Sequence, residues 1–304
     1  MAYKRFPAKV LLFGEHILLR GATALSLPVP RFGGHWAWLT PEKAGAAQGR
    51  LREFAQSETL RTVPGMDADA LALELSRGIW FRSDMMSGYG LGSSGVVCAA
   101  IYDRYCRAKA EDLAVLKGHL AQMESFFHGK SSGIDPLTSY LGRPVVVRHR
   151  TEVELADCPD WSKNLRIFLL DSRQPRPAGS LIHRFQDMCQ HPDFASELDY
   201  FLADAHEPAV RDFLAGDFDS FWKNMAQVSE FQYVFMRYMI PRELHYRWER
   251  GLESGDFYLK ICGAGGGGFM LLFVRDNAAA EVLGRLHRLT EITRSVGPTS
   301  NSHP

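Results

Sequence analysis

The stretch Gly88-Tyr89-Gly90-Leu91-Gly92-Ser93-Ser94-Gly95 constrains this chain more than any other. Alternating glycines let a backbone turn tightly and approach another group closely, because no Cβ intervenes. The loop runs straight into Val96-Val97-Cys98-Ala99-Ala100-Ile101 and then into polar residues up to Lys109, which reads as a helix buried on most sides. A glycine loop feeding a helix N-terminus gathers unpaired N–H groups at the positive end of the helix dipole, an arrangement suited to a polyphosphate. Ser93 and Ser94 bring hydroxyls able to cap that helix, meet a phosphate or ligate Mg²⁺. Glycine spacing by itself describes a capped helix behind a tight turn at least as well. Two other phosphate-binding designs fit poorly. No Gly-Lys-Ser/Thr follows, as a Walker A loop requires, and neither a clear preceding strand nor an acidic ribose partner supports a dinucleotide fold.

With 304 residues the chain has room for two domains. Lys+Arg and Asp+Glu both number 35, so no net field favours nucleic acid or a membrane surface as partner. Five cysteines without CxxC or Cys/His ligand spacing argue against both a disulfide framework and a zinc site. The opening Met-Ala-Tyr-Lys-Arg-Phe-Pro lacks an apolar signal region and no apolar run reaches membrane length, so a cytoplasmic location is expected.

Around the glycine loop, residues 8–14 read as a mostly buried strand, with Glu15 and His16 just past its end. Residues 24–30 and 35–39 read as two further strands, Pro28 and Pro30 keeping the first at an edge or end. Residues 41–62 are polar and look like a surface excursion, and Asp67–Phe81 carries helical spacing. Leu113, Leu116, Leu120, Met123 and Phe127 mark a helix ended by His128-Gly129. Glu124 sits near its last turn, where a carboxylate is badly placed for the dipole, a hint of another purpose. Asp135-Pro136 has the grammar of a helix start, with Asp135 as cap. Lys9 and His16, taken singly, read as a solvated strand residue and a turn histidine. Strands are expected at 143–148 and 166–171, a polar linker at 150–165, a Pro/Arg-containing loop at 173–177 and helices across 180–250. Two strands at 257–262 and 269–274 flank Gly263-Ala264-Gly265-Gly266-Gly267-Gly268, more glycine than a hairpin needs, so another backbone or a ligand comes close there. A helix at 277–293 and a loose tail at 297–304 complete the chain.

Three blocks in order, Lys9-Val-Leu-Leu-Phe-Gly-Glu15-His16, Gly88 to Gly95, and Lys260-Ile-Cys-Gly-Ala-Gly-Gly-Gly-Gly268, resemble the three signature motifs of the galactokinase/homoserine kinase/mevalonate kinase/phosphomevalonate kinase (GHMP) superfamily. Glu124 followed by His128-Gly129-Lys130-Ser131-Ser132-Gly133-Ile134-Asp135 is similar to the mevalonate kinase version. The resemblance implies a two-domain α+β fold. Residues 1–160 would be like domain 2 of ribosomal protein S5, and residues 161–304 ferredoxin-like. It implies ATP as phosphoryl donor, Mg²⁺ as cofactor, mevalonate as acceptor and a homodimer. The alternatives are another small alcohol or sugar as acceptor, or a catalytically silent ATP- or metabolite-binding protein on the same fold. By resemblance Gly88, Gly90, Leu91, Gly92, Ser93, Ser94 and Gly95 wrap the ATP phosphates, and Ser94 and Glu124 hold Mg²⁺. Asp135 matches the catalytic acid/base and Lys9 the lysine beside it; Glu15, His16, Gly265 and Gly266 fall at the substrate. The chain departs from the pattern at Gly95-Val96, where Ala-Ala is commoner, at 41–62, and at 231–241.

Those roles agree with the chemistry. Phosphoryl transfer to an alcohol needs alignment, neutralised charge and a destination for the hydroxyl proton. Asp135 is suited to take the proton, and Lys9 to stabilise the developing alkoxide.

Overall fold

The computed structural model describes residues 3–40, 43, 48–174, 181–275 and 277–293. The expected tail and most of the expected 173–177 loop lie outside them. The first sheet holds β1 (Arg5–Phe13), β2 (Ala24–Trp38), β3 (Ile79–Ser83), β4 (Val145–Arg148) and β5 (Glu152–Leu155), in the order β1-β2-β4-β5 with β3 also on β2. Between its strands run α1 (Gly49–Gln56), α2 (Glu58–Arg61), α3 (Ala68–Ser76), α4 (Ser93–Tyr105), α5 (Leu113–His128) and α6 (Ile134–Leu141).

The second half opens with β6 (Arg166–Asp171) and continues through α7 (Leu181–Met188), α8 (Pro192–Phe201), α9 (Glu207–Ala215), α10 (Phe218–Phe235) and α11 (Arg242–Ser254). The hairpin β7 (Phe257–Ile261) and β8 (Phe269–Val274) follows, then α12 (Asn277–Leu286) and β9 (Leu289–Ile292). The all-antiparallel order β7-β8-β6-β9 is that of a ferredoxin-like sheet.

The first sheet is covered on both faces, which explains the continuous apolar text of β1. Strand alternation sends Val145 and Val147 into one core with Leu71, Ala99 and Leu120, and Val146 into another with Ala8, Val10, Leu169 and Phe221. That second core joins the two halves. Phe13, fully buried at the end of β1, meets Phe221 of α10 edge-on at 6.2 Å.

Several expectations need correction. The two strands at 24–30 and 35–39 are one, β2. It tolerates Pro28 and Pro30 because β4 pairs only with 24–26 and β3 only with 34–38, leaving one edge of the intervening stretch without a strand among the described residues. The helix from Asp67 stops at Ser76, and a strand, β3, does precede the glycine loop. Helical spacing continued through Ile79 and Trp80, yet pairing with Trp38 and Ala37 captured them. Part of the expected surface excursion is helical and seals the core, with Phe54, Ala55 and Leu60 fully buried. The expected linker contains β5, paired with β4, and buries Trp161 and Leu165. The last helix ends at Leu286 and gives way to β9 on β6. Among the described residues no helix is long and apolar enough to cross a membrane.

Candidate active site

Alternation along β1 turns Ala8 and Val10 toward the second half of the chain and Lys9 toward the opposite face, where α4 and α6 lie. There Lys9 Nζ meets Asp135 Oδ2 at 2.7 Å, with the lysine side chain 3% exposed and the aspartate 30%. Asp135 is not the cap of α6. Gly133 holds that position with φ of 75°, and a Cβ there would fall 2.4 Å from Lys117 O. Asp135 stands in the first turn, at the favourable end of the helix dipole, with its side chain committed to Lys9. Burial pulls the Lys9 pKa down, the Asp135 charge and hydrogen bond raise it, and the net shift is upward, so the buried ammonium stays charged.

The glycine loop is wrapped over this pair. Lys9 N–H donates to Leu91 O at 3.2 Å. A Cβ on Gly92 would lie 2.7 Å from Lys9 Cε and 3.2 Å from Asp135 Oδ2, and one on Gly95 would lie 2.8 Å from Pro136 N. Gly95 is therefore the residue that lets α4 and α6 touch behind the aspartate. Gly92, with φ of 69°, is the cap residue of α4, so neither Ser93 nor Ser94 has the capping role open to it from sequence.

Ser94 turns instead to Glu124. Its hydroxyl donates to Glu124 Oε1 at 2.8 Å, and His128 Nε2 lies 2.9 Å from Ser94 Oγ. Ser131 donates to the other Glu124 oxygen. Burial, then the charge of Asp135, push Glu124 up to about 7, against smaller lowering effects from Ser131, Ser94 and Lys9. Ser94 and Glu124 suit Mg²⁺. They offer only oxygen donors, a hydroxyl and a carboxylate, and Mg²⁺ completes its octahedron with water and phosphate oxygens rather than a protein cage. Consistently, no group of three or more His, Cys, Asp or Glu is gathered for a metal among the described residues.

Glu15 and His16 follow β1. Glu15 is buried and ion-paired with the equally buried Lys260 of β7. Its other oxygen, Oε1, has no hydrogen-bond partner among the described residues, and burial raises its pKa. His16, at φ of 61°, places Nε2 3.3 Å from Ala264 O and its ring 5.5 Å from that of Phe185. The second glycine loop packs on the first: Phe269 N–H donates to Tyr89 O at 3.3 Å, and a Cβ on Gly268 would lie 2.6 Å from Tyr89 Cα. Gly265 and Gly266 are turned to Met239, whose carbonyl accepts the Gly266 N–H at 2.7 Å.

Lys9, Asp135, Gly92, Ser94 and Glu124 thus form one connected cluster, with Glu15 and His16 next along β1. Sequence reasoning did not single out His128 or the Glu15–Lys260 pairing. Both had a signal: His128 is four residues after Glu124 on one helix face, and Lys260 is a charge inside a wholly apolar strand. A groove of about 440 Å³ between α11 and α12, lined by Arg247, Arg250 and Leu286, shares no residue with this cluster.

No family model and no curated protein matches the sequence. Solved structures do match. Mevalonate kinase from L. major, in complex with R-mevalonate, aligns with TM-score 0.65 at 13% identity, covering 97% of each chain. Galactokinase from Lactococcus lactis, complexed with galactose, aligns with TM-score 0.67 at 14% identity over 96% of this chain and 92% of that one. Streptococcus pneumoniae phosphomevalonate kinase, in complex with phosphomevalonate and AMPPNP, aligns with TM-score 0.63 at 15% identity over 94% and 95%. Likeness of this extent across both sheets shows that the chain has the two-domain α+β fold of the GHMP kinases.

Proposed function

We propose that the protein is an ATP-dependent kinase of the GHMP superfamily that phosphorylates a small alcohol, with mevalonate the first acceptor to test. The observation that carries this reading is the Lys9–Asp135 pair, 2.7 Å apart and roofed by Gly92 of the glycine loop. We assign residues 1–160 to the half that carries the phosphate loop and Asp135, and 161–304 to the half that supplies the second glycine loop.

In this reading the residues from Gly88 to Gly95 bind the phosphates, with the N–H groups of the first turn of α4 pointing at them. Mg²⁺ on Ser94 and Glu124 would neutralise charge on the transferring group. Asp135 accepts the acceptor's hydroxyl proton, and the Lys9 ammonium stabilises the alkoxide as it develops. His16 and Glu15 stand at the acceptor side. None of the five cysteines forms a disulfide and four are buried, which fits a reducing cytoplasm.

The test is ADP release from MgATP across a panel of mevalonate, phosphomevalonate, homoserine and galactose. Turnover of one of these at rates abolished by Asp135→Asn supports the reading. Failure to bind MgATP sinks it, and preference for galactose would keep the kinase and remove mevalonate as its acceptor.

A further inference from the structure

One arginine beside the acceptor end of the proposed site stands apart from the rest. Arg184 of α7 places its Cζ 4.0 Å above the ring of Tyr238. Four other arginines also lie over aromatic rings and each holds a carboxylate as well: Arg104 with Glu74, Arg166 with Glu291, Arg237 with Glu249 and Arg275 with Asp219. Arg50, over Phe127, bonds a backbone carbonyl. Arg184 has the ring and no acceptor among the described residues.

Both partners of this stack lead to the same place. Phe185, the next residue of α7, is buried against His16, its ring 5.5 Å away. Met239, the residue after Tyr238, accepts the Gly266 N–H and packs beneath Gly265. His16 closes the circle through Ala264 O. The guanidinium is exposed; it sits one residue along the chain from Phe185 and over a ring one residue from Met239, so the stack borders the region where His16 and the second glycine loop meet. The two buried lysines of the site are committed, Lys9 to Asp135 and Lys260 to Glu15.

A guanidinium held over a ring face makes no hydrogen bond to it, so its N–H fork stays free to grip carboxylate or phosphate with two hydrogen bonds. The ring also removes much of the side-chain freedom that binding would otherwise have to quench. We propose that Arg184, stacked on Tyr238, anchors an anionic group of the acceptor, so that the substrate is an alcohol bearing a carboxylate or phosphoryl group rather than a neutral sugar. The proposal rests on the kinase reading and narrows its substrate class.

The test titrates wild type, Arg184→Gln, Arg184→Lys, Tyr238→Phe and Tyr238→Leu with R-mevalonate, phosphomevalonate, the neutral amide of mevalonate and galactose, by calorimetry and by initial rates. Wild type should bind an acid about tenfold or more tightly than the amide. Arg184→Gln should abolish that preference through Kd and KM for the acid, with kcat and MgATP affinity within about twofold. Arg184→Lys should recover part of it, and Tyr238→Leu should weaken it while Tyr238→Phe keeps it, since the ring rather than the hydroxyl is the platform. Tighter binding of mevalonate identifies the carboxylate as the anchored group; a gain with phosphomevalonate that Arg184→Gln removes identifies the phosphoryl group. An unchanged acid affinity in Arg184→Gln overturns the proposal, as does wild type binding the amide or galactose as tightly as the acids. MgATP binding, measured by itself, judges the kinase reading separately from the acceptor affinities.

Discussion

Lys9 Nζ and Asp135 Oδ2 lie 2.7 Å apart, and Gly92 crosses them so closely that a methyl group there would reach both side chains. The first glycine loop, β1 and α6 are thereby locked into one geometry. A change in any of the three residues should register in chemistry before it registers in nucleotide binding.

Asp135→Asn should leave MgATP affinity nearly intact and lower turnover by about a hundredfold or more, as expected for a lost general base. Stopped-flow nucleotide binding and steady-state rates check this. A variant retaining more than about a third of the rate would reduce Asp135 to a first-turn helix residue.

Gly92→Ala should cost about 1–3 kcal/mol of stability, from a side chain at positive φ and from collision with Lys9, and should lower turnover more than about tenfold by displacing the pair. Gly88→Ala is the control. Its φ is also positive, at 80°, but nothing lies within 4 Å of the new methyl, so only the backbone penalty of about 1 kcal/mol applies. Urea denaturation of both variants would show whether crowding at Gly92 adds to the φ cost.

Glu124 links function to pH. Its pKa in the folded chain is raised to about 7 from an ordinary 4.5, so its protonated form is the favoured one. The stabilisation this brings is complete below pH 4.5 and is lost as pH rises through about 7. In chelator, wild type should therefore lose on the order of 3 kcal/mol relative to Glu124→Gln between pH 4.5 and 8. Parallel stability profiles for the two proteins would contradict this. Glu124→Gln and Ser94→Ala should also raise the Mg²⁺ requirement for turnover, with partial recovery at high metal; lost rate with unchanged metal dependence would remove both as ligands.

Lys260→Met strands Glu15 as a buried carboxylate without its cation and should destabilise the fold by about 3–5 kcal/mol. Glu15→Gln combined with Lys260→Met should recover most of that loss. Denaturation midpoints of the single and double variants decide it. Equal losses in both would mean that the pair is not the unit of stability.

His16→Ala should raise KM for the acceptor well above any effect on KM for ATP, by about tenfold or more. Part of that effect should come through the second glycine loop, because His16 Nε2 faces Ala264 O. Acceptor titrations at saturating ATP separate the two.

Much of the site was readable in the chain. Glycines at 88, 90, 92 and 263–268 announce close backbone approach, and the structure shows that approach to be mutual, Gly268 against Tyr89 and Gly263 beside Gly90. Long periodic helices such as 113–128 and 218–235 were legible, because an amphipathic repeat over four turns has no competing interpretation. Three short strands were not. β3, β5 and β9, each of five residues or fewer, exist because a partner strand was waiting, and nothing in their own spacing announces that partner.

Local grammar also named the wrong job for single residues. Asp135-Pro136 spells a helix cap, and Lys9 alone spells a solvated strand residue. The fold brings residues 126 positions apart to within 2.7 Å, and burial then makes each the other's necessary partner. The same holds for Glu15 with Lys260. The sequence by itself determined which backbone could bend sharply and where the long periodic helices lie, because glycine freedom and hydrophobic period are local properties. Only tertiary structure decided which charges would be desolvated and paired, since burial and distance belong to the packed chain and to no segment of it.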